Sequence, residues 1–170
     1  MSQFRLLREQ RFRPFFLTQF LGAFNDNLFK HALVVLLTFQ AASWTTIAPA
    51  LLANLAAGIF ILPFFLFSAT AGQLADKYDK ARLTRLVKVL EVAIMLVALA
   101  GFVLHSLAVL LGALFLLGCH STLFGPVKYA LLPQHLHEDE LVGGNALVEA
   151  GTFVAILLGT LAGGMLAAVE

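Results

Sequence analysis

Asn25, Asp26, Asn27 and Lys30 stand together inside an otherwise apolar run from Arg13 to Gln40. A carboxylate, two amides and an ammonium at this spacing can hydrogen-bond and ion-pair with a polar or charged group, and the apolar flanks exclude water from the exchange. On a helix Thr18, Gly22, Asp26 and Lys30 fall four apart and share one face. The run exceeds the roughly 20 residues needed to cross a bilayer. A charge at membrane depth costs at least ~2.5–3.5 kcal/mol on insertion scales, so that face must look at protein or water. A helix of this kind predicts a bundle with an interior polar path. Two later charges fit the same reading. Glu149 lies about 12 Å past the start of its helix, at ~1.5 Å rise per residue. It needs a partner, and Lys128 on the preceding helix is the candidate. Glu91 either pairs locally with Lys88 or projects inward.

The other reactive residue types point away from catalysis. None of His31, His105, His120, His135 or His137 has the H-x-x-x-x-D spacing of glycerolipid acyltransferases; His135 meets Glu140 instead of an aspartate. No catalytic residue and no cofactor are expected. Cys119 is the single cysteine, so an intrachain disulfide is impossible and a Cys-based metal site is not expected.

Of the 170 residues, 60% are hydrophobic and only 12% charged, against about 25% charged in average soluble domains. Mean hydropathy is +0.90. The chain is expected to be all-α, a polytopic membrane helix bundle, with the lipid bilayer and not nucleic acid as its surroundings. Residues 1–13 form a basic segment in which Phe4, Leu7 and Phe12 alternate with arginines, suited to the cytoplasm or to the headgroup layer. The apolar run after it is too long and too polar at its centre for a signal peptide, whose apolar region spans about 7–15 residues. Transmembrane helices are expected at about 14–40, 47–73, 85–103, 107–132 and 141–168, together the bundle of residues 14–170. Trp44 sits in an expected external loop, Pro63 kinks the second helix, and Pro133 is expected to end the fourth. Positive residues stay cytoplasmic. The arginines before helix one and Lys77, Lys80, Arg82, Arg85 and Lys88 between helices two and three therefore place the N-terminus in the cytoplasm. In the fifth helix Gly151, Ala155, Gly159, Gly163 and Ala167 recur every four residues and predict close helix approach. Five spans, with a polar first one, suggest part of a longer permease.

The stretch Gly72-Gln73-Leu74-Ala75-Asp76-Lys77-Tyr78-Asp79-Lys80-Ala81-Arg82 resembles the signature G-x-L-A-D-[RK]-x-G-[RK]-[RK] between helices two and three of the major facilitator superfamily. Gly72, Asp76, Lys77 and Lys80 match, while Asp79 replaces a glycine and Ala81 the second basic residue. The resemblance implies the N-terminal half of a permease, with Asp76 and the basic residues through Arg82 latching onto a C-terminal half outside this sequence. Three further segments are similar to bacterial lysophospholipid transporters: Gln19 to Asn27, Gly125-Pro126-Val127-Lys128-Tyr129, and Gly144 to Ala150 continuing into Ala155 to Gly159. That resemblance implies a multi-pass protein of the bacterial inner membrane that flips lysophospholipids for reacylation, in some bacteria fused to an acyltransferase. On this reading Asn25, Asp26 and Asn27 meet the amine or hydroxyls of the headgroup, Lys30 or Lys128 the phosphate, with Glu149 beside them. The competing readings are a permease of the same fold for a drug or sugar, and the membrane part of a fused phospholipid acyltransferase.

Overall fold

In the computed structural model residues 3–167 are described, and every regular element among them is helical. A 3-10 turn at Gln3–Arg8 leads into α1 (Arg13–Phe39), α2 (Ala41–Trp44), α3 (Pro49–Lys77), α4 (Lys80–Val103) and α5 (Leu107–His135). A second 3-10 turn, Glu138–Glu140, precedes α6 (Leu141–Ala167). Helices α3, α4, α5 and α6 are long and apolar enough to cross a membrane. Five such helices are expected from the sequence. Helix α1, 27 residues long, has the length, about 40 Å. Its arginine, aspartate, lysine and amides keep it from qualifying by composition.

Several boundaries depart from expectation for local reasons. Helix α3 runs on to Lys77 and α4 begins at Lys80, so the basic segment is two helix ends joined by Tyr78 and Asp79 rather than a long loop. Asp79, the departure from the family signature, caps α4: its Oδ1 accepts the Arg82 amide at 2.8 Å. The expected external loop contains the short helix α2. Helix α5 does not stop at Pro133 but continues to His135. Only Gln134 and His135 follow Pro133 in α5, so the helix ends two residues after the proline rather than before it. The expected end of the last helix at residue 168 lies outside the described residues.

The chain divides into two compact units, one taking in residues up to Ala32 together with those from Lys128 onward, the other Leu33–Val127.

In the first unit α6 lies along α1 through its small-residue stripe. Gly151, Ala155, Gly159 and Gly163 are all buried. A Cβ on Gly159 would strike the Phe24 carbonyl and the Asn27 side chain, and one on Gly163 the Leu28 carbonyl and the Ala32 amide. Helix backbones meet there, which only glycine allows. At the opposite end of α1, Arg11 ties the N-terminal turn to the α5–α6 connection. Its Nη1 donates to the His135 carbonyl (3.0 Å), its Nη2 to Glu140 Oε1 (2.7 Å) and its Nε to Glu9 Oε2 (2.7 Å). Arg11 thus satisfies a carbonyl at the end of α5 that has no helical partner. Phe12 is fully buried beside it, and the Phe15 ring stacks on His135.

Glu140, then Glu9, raises the Arg11 guanidinium still further above its already high pKa. A raised cation gives stability below its unfolded pKa and loses it only as pH rises through the folded value, so this clasp holds across the physiological range. Arg11→Ala is expected to release residues 3–12, seen as faster amide hydrogen exchange there with α6 unaffected. Arg11→Lys is expected to fall between, because an ammonium cannot serve the forked geometry.

In the second unit α3 packs on α5 where Gly118 meets Phe60 and Pro63, and the α4–α5 turn closes with His105 in the left-handed region (φ 49). The His105 ring stacks on Trp44 at 5.1 Å, which places the α1–α3 and α4–α5 connections at the same end of this unit. That is the alternation a polytopic chain requires.

Candidate substrate path

Helix α1 is built to carry polar groups at mid-length without losing its ladder. Thr18 Oγ1 returns to the Pro14 carbonyl (2.7 Å), Asn27 Nδ2 to Ala23 (2.8 Å) and Thr38 Oγ1 to Val34 (2.7 Å). Such i−4 bonds satisfy a side chain locally where no water is available. Burial divides the residues from Asn25 to Lys30 into two kinds. Asn27 is 8% exposed, bonded to its own helix and seated at Gly159 of α6, so it holds the helix pair together. Asn25, Asp26 and Lys30 are half-buried. Asp26 and Lys30 stand one turn apart on the same face.

Lys128 and Glu149 come together across α5 and α6. Lys128 Nζ lies 3.9 Å from Glu149 Oε1, with the lysine side chain 14% exposed and the glutamate 44%. The Tyr129 hydroxyl donates to the same Glu149 oxygen. Lys128 also lies 4.8 Å from the Tyr129 ring centroid. Ammonium, phenol and carboxylate thus form one cluster, offering a point positive charge for an anion and a carboxylate for an amine. All six expected path residues, Asn25, Asp26, Asn27, Lys30, Lys128 and Glu149, belong to the first unit. Helix α1 gathers the first four by itself, and the α5–α6 pair gathers the last two.

The signature residues belong to the second unit. Gly72 is half-buried, and a Cβ there would meet nothing within 4 Å. Asp76, Lys77 and Arg82 are exposed. The Asp76 carbonyl accepts from Lys80 Nζ at 3.1 Å, and Lys77 lies over the Tyr78 ring at 5.6 Å.

Sequence reasoning missed three polar residues. Gln19 of α1 is 2% exposed, and its Oε1 accepts the Thr152 hydroxyl of α6 at 3.0 Å. Thr152 shares that hydroxyl with the Val148 carbonyl. His120 of α5 is 1% exposed beside Glu91 of α4. A single glutamine or histidine within an apolar run was the available signal; which helix it would face was not written in the periodicity.

Comparison with known proteins adds a family and a set of relatives. The family described as transmembrane secretion effector matches residues 1–170. Proteins named lysophospholipid transporter LplT from Salmonella newport (strain SL254), Salmonella heidelberg (strain SL476) and Salmonella enteritidis PT4 are each 35% identical to this chain over 150 residues. The aligned region covers 88% of this chain and 34% of each relative, so the chain spans about a third of the length of the curated relatives it matches. No solved structure matches.

Proposed function

Because this chain belongs to the transmembrane secretion effector family, within the major facilitator superfamily, we propose that it supplies the N-terminal helices of a transporter that flips lysophospholipids across a bacterial inner membrane. The observation that carries this reading is the 35% identity to lysophospholipid transporters along 88% of the chain. The chemistry of the first unit agrees with it. A lysophospholipid has a phosphate-bearing headgroup and one acyl chain, and its headgroup cannot enter hydrocarbon unless polar groups replace its water. Lys128 and Lys30 suit the phosphate as point charges. Asp26 and Asn25 suit an amine or hydroxyls. Exposed phenylalanines and leucines along the helices suit the lipid tails.

On this reading the N-terminus and the α3–α4 connection face the cytoplasm, since basic residues are retained there. The Asp76 to Arg82 segment then latches onto the C-terminal half of the transporter. The chain carries the lipid and leaves bond-making to a separate or fused acyltransferase, for which the flipped lysolipid is substrate. Glu149→Gln leaves Lys128 with Tyr129 but no counter-charge, and is expected to weaken transport of amine-bearing lysolipids more than of those lacking an amine.

The test is uptake of labelled lysophosphatidylethanolamine by spheroplasts expressing the full-length protein. Uptake above that of an empty-vector control supports the proposal. Uptake of a sugar or drug in its place, with none of the lysolipid, assigns the chain to another cargo.

A further inference from the structure

An apolar groove opens on the second unit at the end where α3 meets α4, and the proposed lipid path does not use it. Its volume is about 430 Å³, within the roughly 300–1,000 Å³ usual for sites that hold a small organic ligand. Leu83, Leu86, Val87 and Leu90 of α4 line it, closed by Leu74 of α3 and Leu123 of α5. Val87 is buried at its floor, while Leu86 is 65% and Leu90 38% exposed. From Leu83 to Leu90 the lining runs about 10 Å along the helix, roughly two-thirds of one leaflet's share of a ~30 Å hydrocarbon core. Tyr78 and Arg82 are the polar side chains of the lining, and both stand at the α3–α4 end. The Arg82 amide is held by the Asp79 cap. Its side chain is exposed and makes no hydrogen bond or ion pair among the described residues. The neighbouring lysines are engaged elsewhere, Lys80 Nζ on the Asp76 carbonyl and Lys77 over the Tyr78 ring. Between Asp76 and Lys88 five cations stand against two carboxylates.

We propose that this groove holds an anionic phospholipid of the surrounding bilayer, with one acyl chain along Leu83 to Leu90 and the phosphate against Arg82. The lining is apolar where a chain would lie, and the guanidinium stands where the headgroup layer begins. Lipid tails fill any apolar groove that a membrane span presents; the cation at the mouth is what makes this one selective. A guanidinium suits a phosphate because its forked donors meet two oxygens at once. Basic segments at a bilayer surface attract anionic lipids. A zwitterionic lipid would bring its own ammonium into a segment already rich in cations, so a lipid with net negative charge is favoured. The proposal takes from the reading above only that α3 and α4 cross the membrane and meet at its surface. Asp76, Lys77 and Lys80 remain on the α3 side of the segment to serve the latch.

The experiment is photo-crosslinking of the full-length protein in vesicles of phosphatidylethanolamine and phosphatidylglycerol, without lysolipid. Either lipid carries a photoreactive group at mid-chain, and mass spectrometry locates the labelled residues. The probe is present in both leaflets, so the outcome depends neither on the cargo nor on which way the chain is oriented. The phosphatidylglycerol probe is expected to label residues 83–90 more strongly than the phosphatidylethanolamine probe. Arg82→Gln is expected to lower that labelling about fivefold, the loss of one basic contact at a bilayer surface. Leu90→Trp, which fills the groove and leaves every charge in place, is expected to exclude the chain. Absence of labelling at residues 83–90 in the unmutated protein means that other protein, the C-terminal half included, covers the groove, and overturns the proposal. Labelling that Arg82→Gln leaves unchanged marks an apolar face touched by any lipid, and overturns it as well.

Discussion

Asp26→Ala is expected to reduce lysophospholipid transport by the full-length protein about tenfold to a hundredfold while leaving insertion and folding intact. The magnitude follows from the loss of a charged hydrogen-bonding group, worth about 1.5–3 kcal/mol, at about 1.4 kcal/mol per factor of ten. Insertion is spared because the substitution removes a charge from a span, which lowers the cost of membrane entry. Asp26→Asn separates the two contributions of the carboxylate. If charge recognition of the cargo amine dominates, the asparagine variant transports as poorly as the alanine one. If hydrogen bonding dominates, it retains most of the activity. Uptake of labelled lysolipid, normalised to protein in the membrane, reads both.

Gly159→Val is expected to have the largest effect on the integrity of the first unit. A side chain there meets the Phe24 carbonyl, a backbone atom that cannot step aside like a flexible side chain. Helices α1 and α6 must then separate along the stripe, at a cost near the upper end of the ~1–3 kcal/mol usual for overpacking. The Gln19–Thr152 bond is expected to break with it, since 3.0 Å leaves no slack. Gly164, one residue beyond the stripe's own Gly163, is the control: a Cβ there meets nothing within 4 Å. Gly164→Ala is expected to be neutral or mildly stabilising, because alanine restricts the unfolded chain more than glycine. Thermal unfolding in detergent, followed by circular dichroism, distinguishes the two variants.

Much of the helical architecture was legible because membrane spans announce themselves by length and apolarity. The four-residue spacing of Gly151, Ala155, Gly159 and Gly163 fixed which face of α6 would be buried, and Gly159 and Gly163 do meet helix backbone. The pairing of Glu149 with Lys128 was also readable, since a carboxylate inside an apolar run demands a cation at similar depth. For Glu91 the sequence left open a local pairing with Lys88 or an inward projection, and the carboxylate meets both Lys88 and His120 of α5. Helix ends were harder. Proline at 133 signals termination, and α5 does end two residues past it, an offset within the range over which helix ends are ordinarily assigned. The charged stretch from Asp76 to Arg85 reads as a loop by composition. The Asp79 cap and the helix-forming lysines, arginines and leucines around it instead extend both helices almost to contact. The partners of His120 and Gln19 depended on how neighbouring helices rotate against one another, and no pattern within a single helix carries that information.

The central claim is that the polar groups of α1 border a water-accessible route for a charged headgroup. Its most direct test is thiol labelling of Asp26→Cys in a Cys119→Ala background, which removes the chain's other thiol, with any cysteines elsewhere in the full-length protein also replaced. A small, membrane-impermeant cationic reagent is expected to modify the thiol at position 26, and excess lysophospholipid is expected to slow that reaction. A thiol that stays unmodified by the polar reagent but reacts with a lipid-soluble one would place position 26 against the acyl chains and contradict the account.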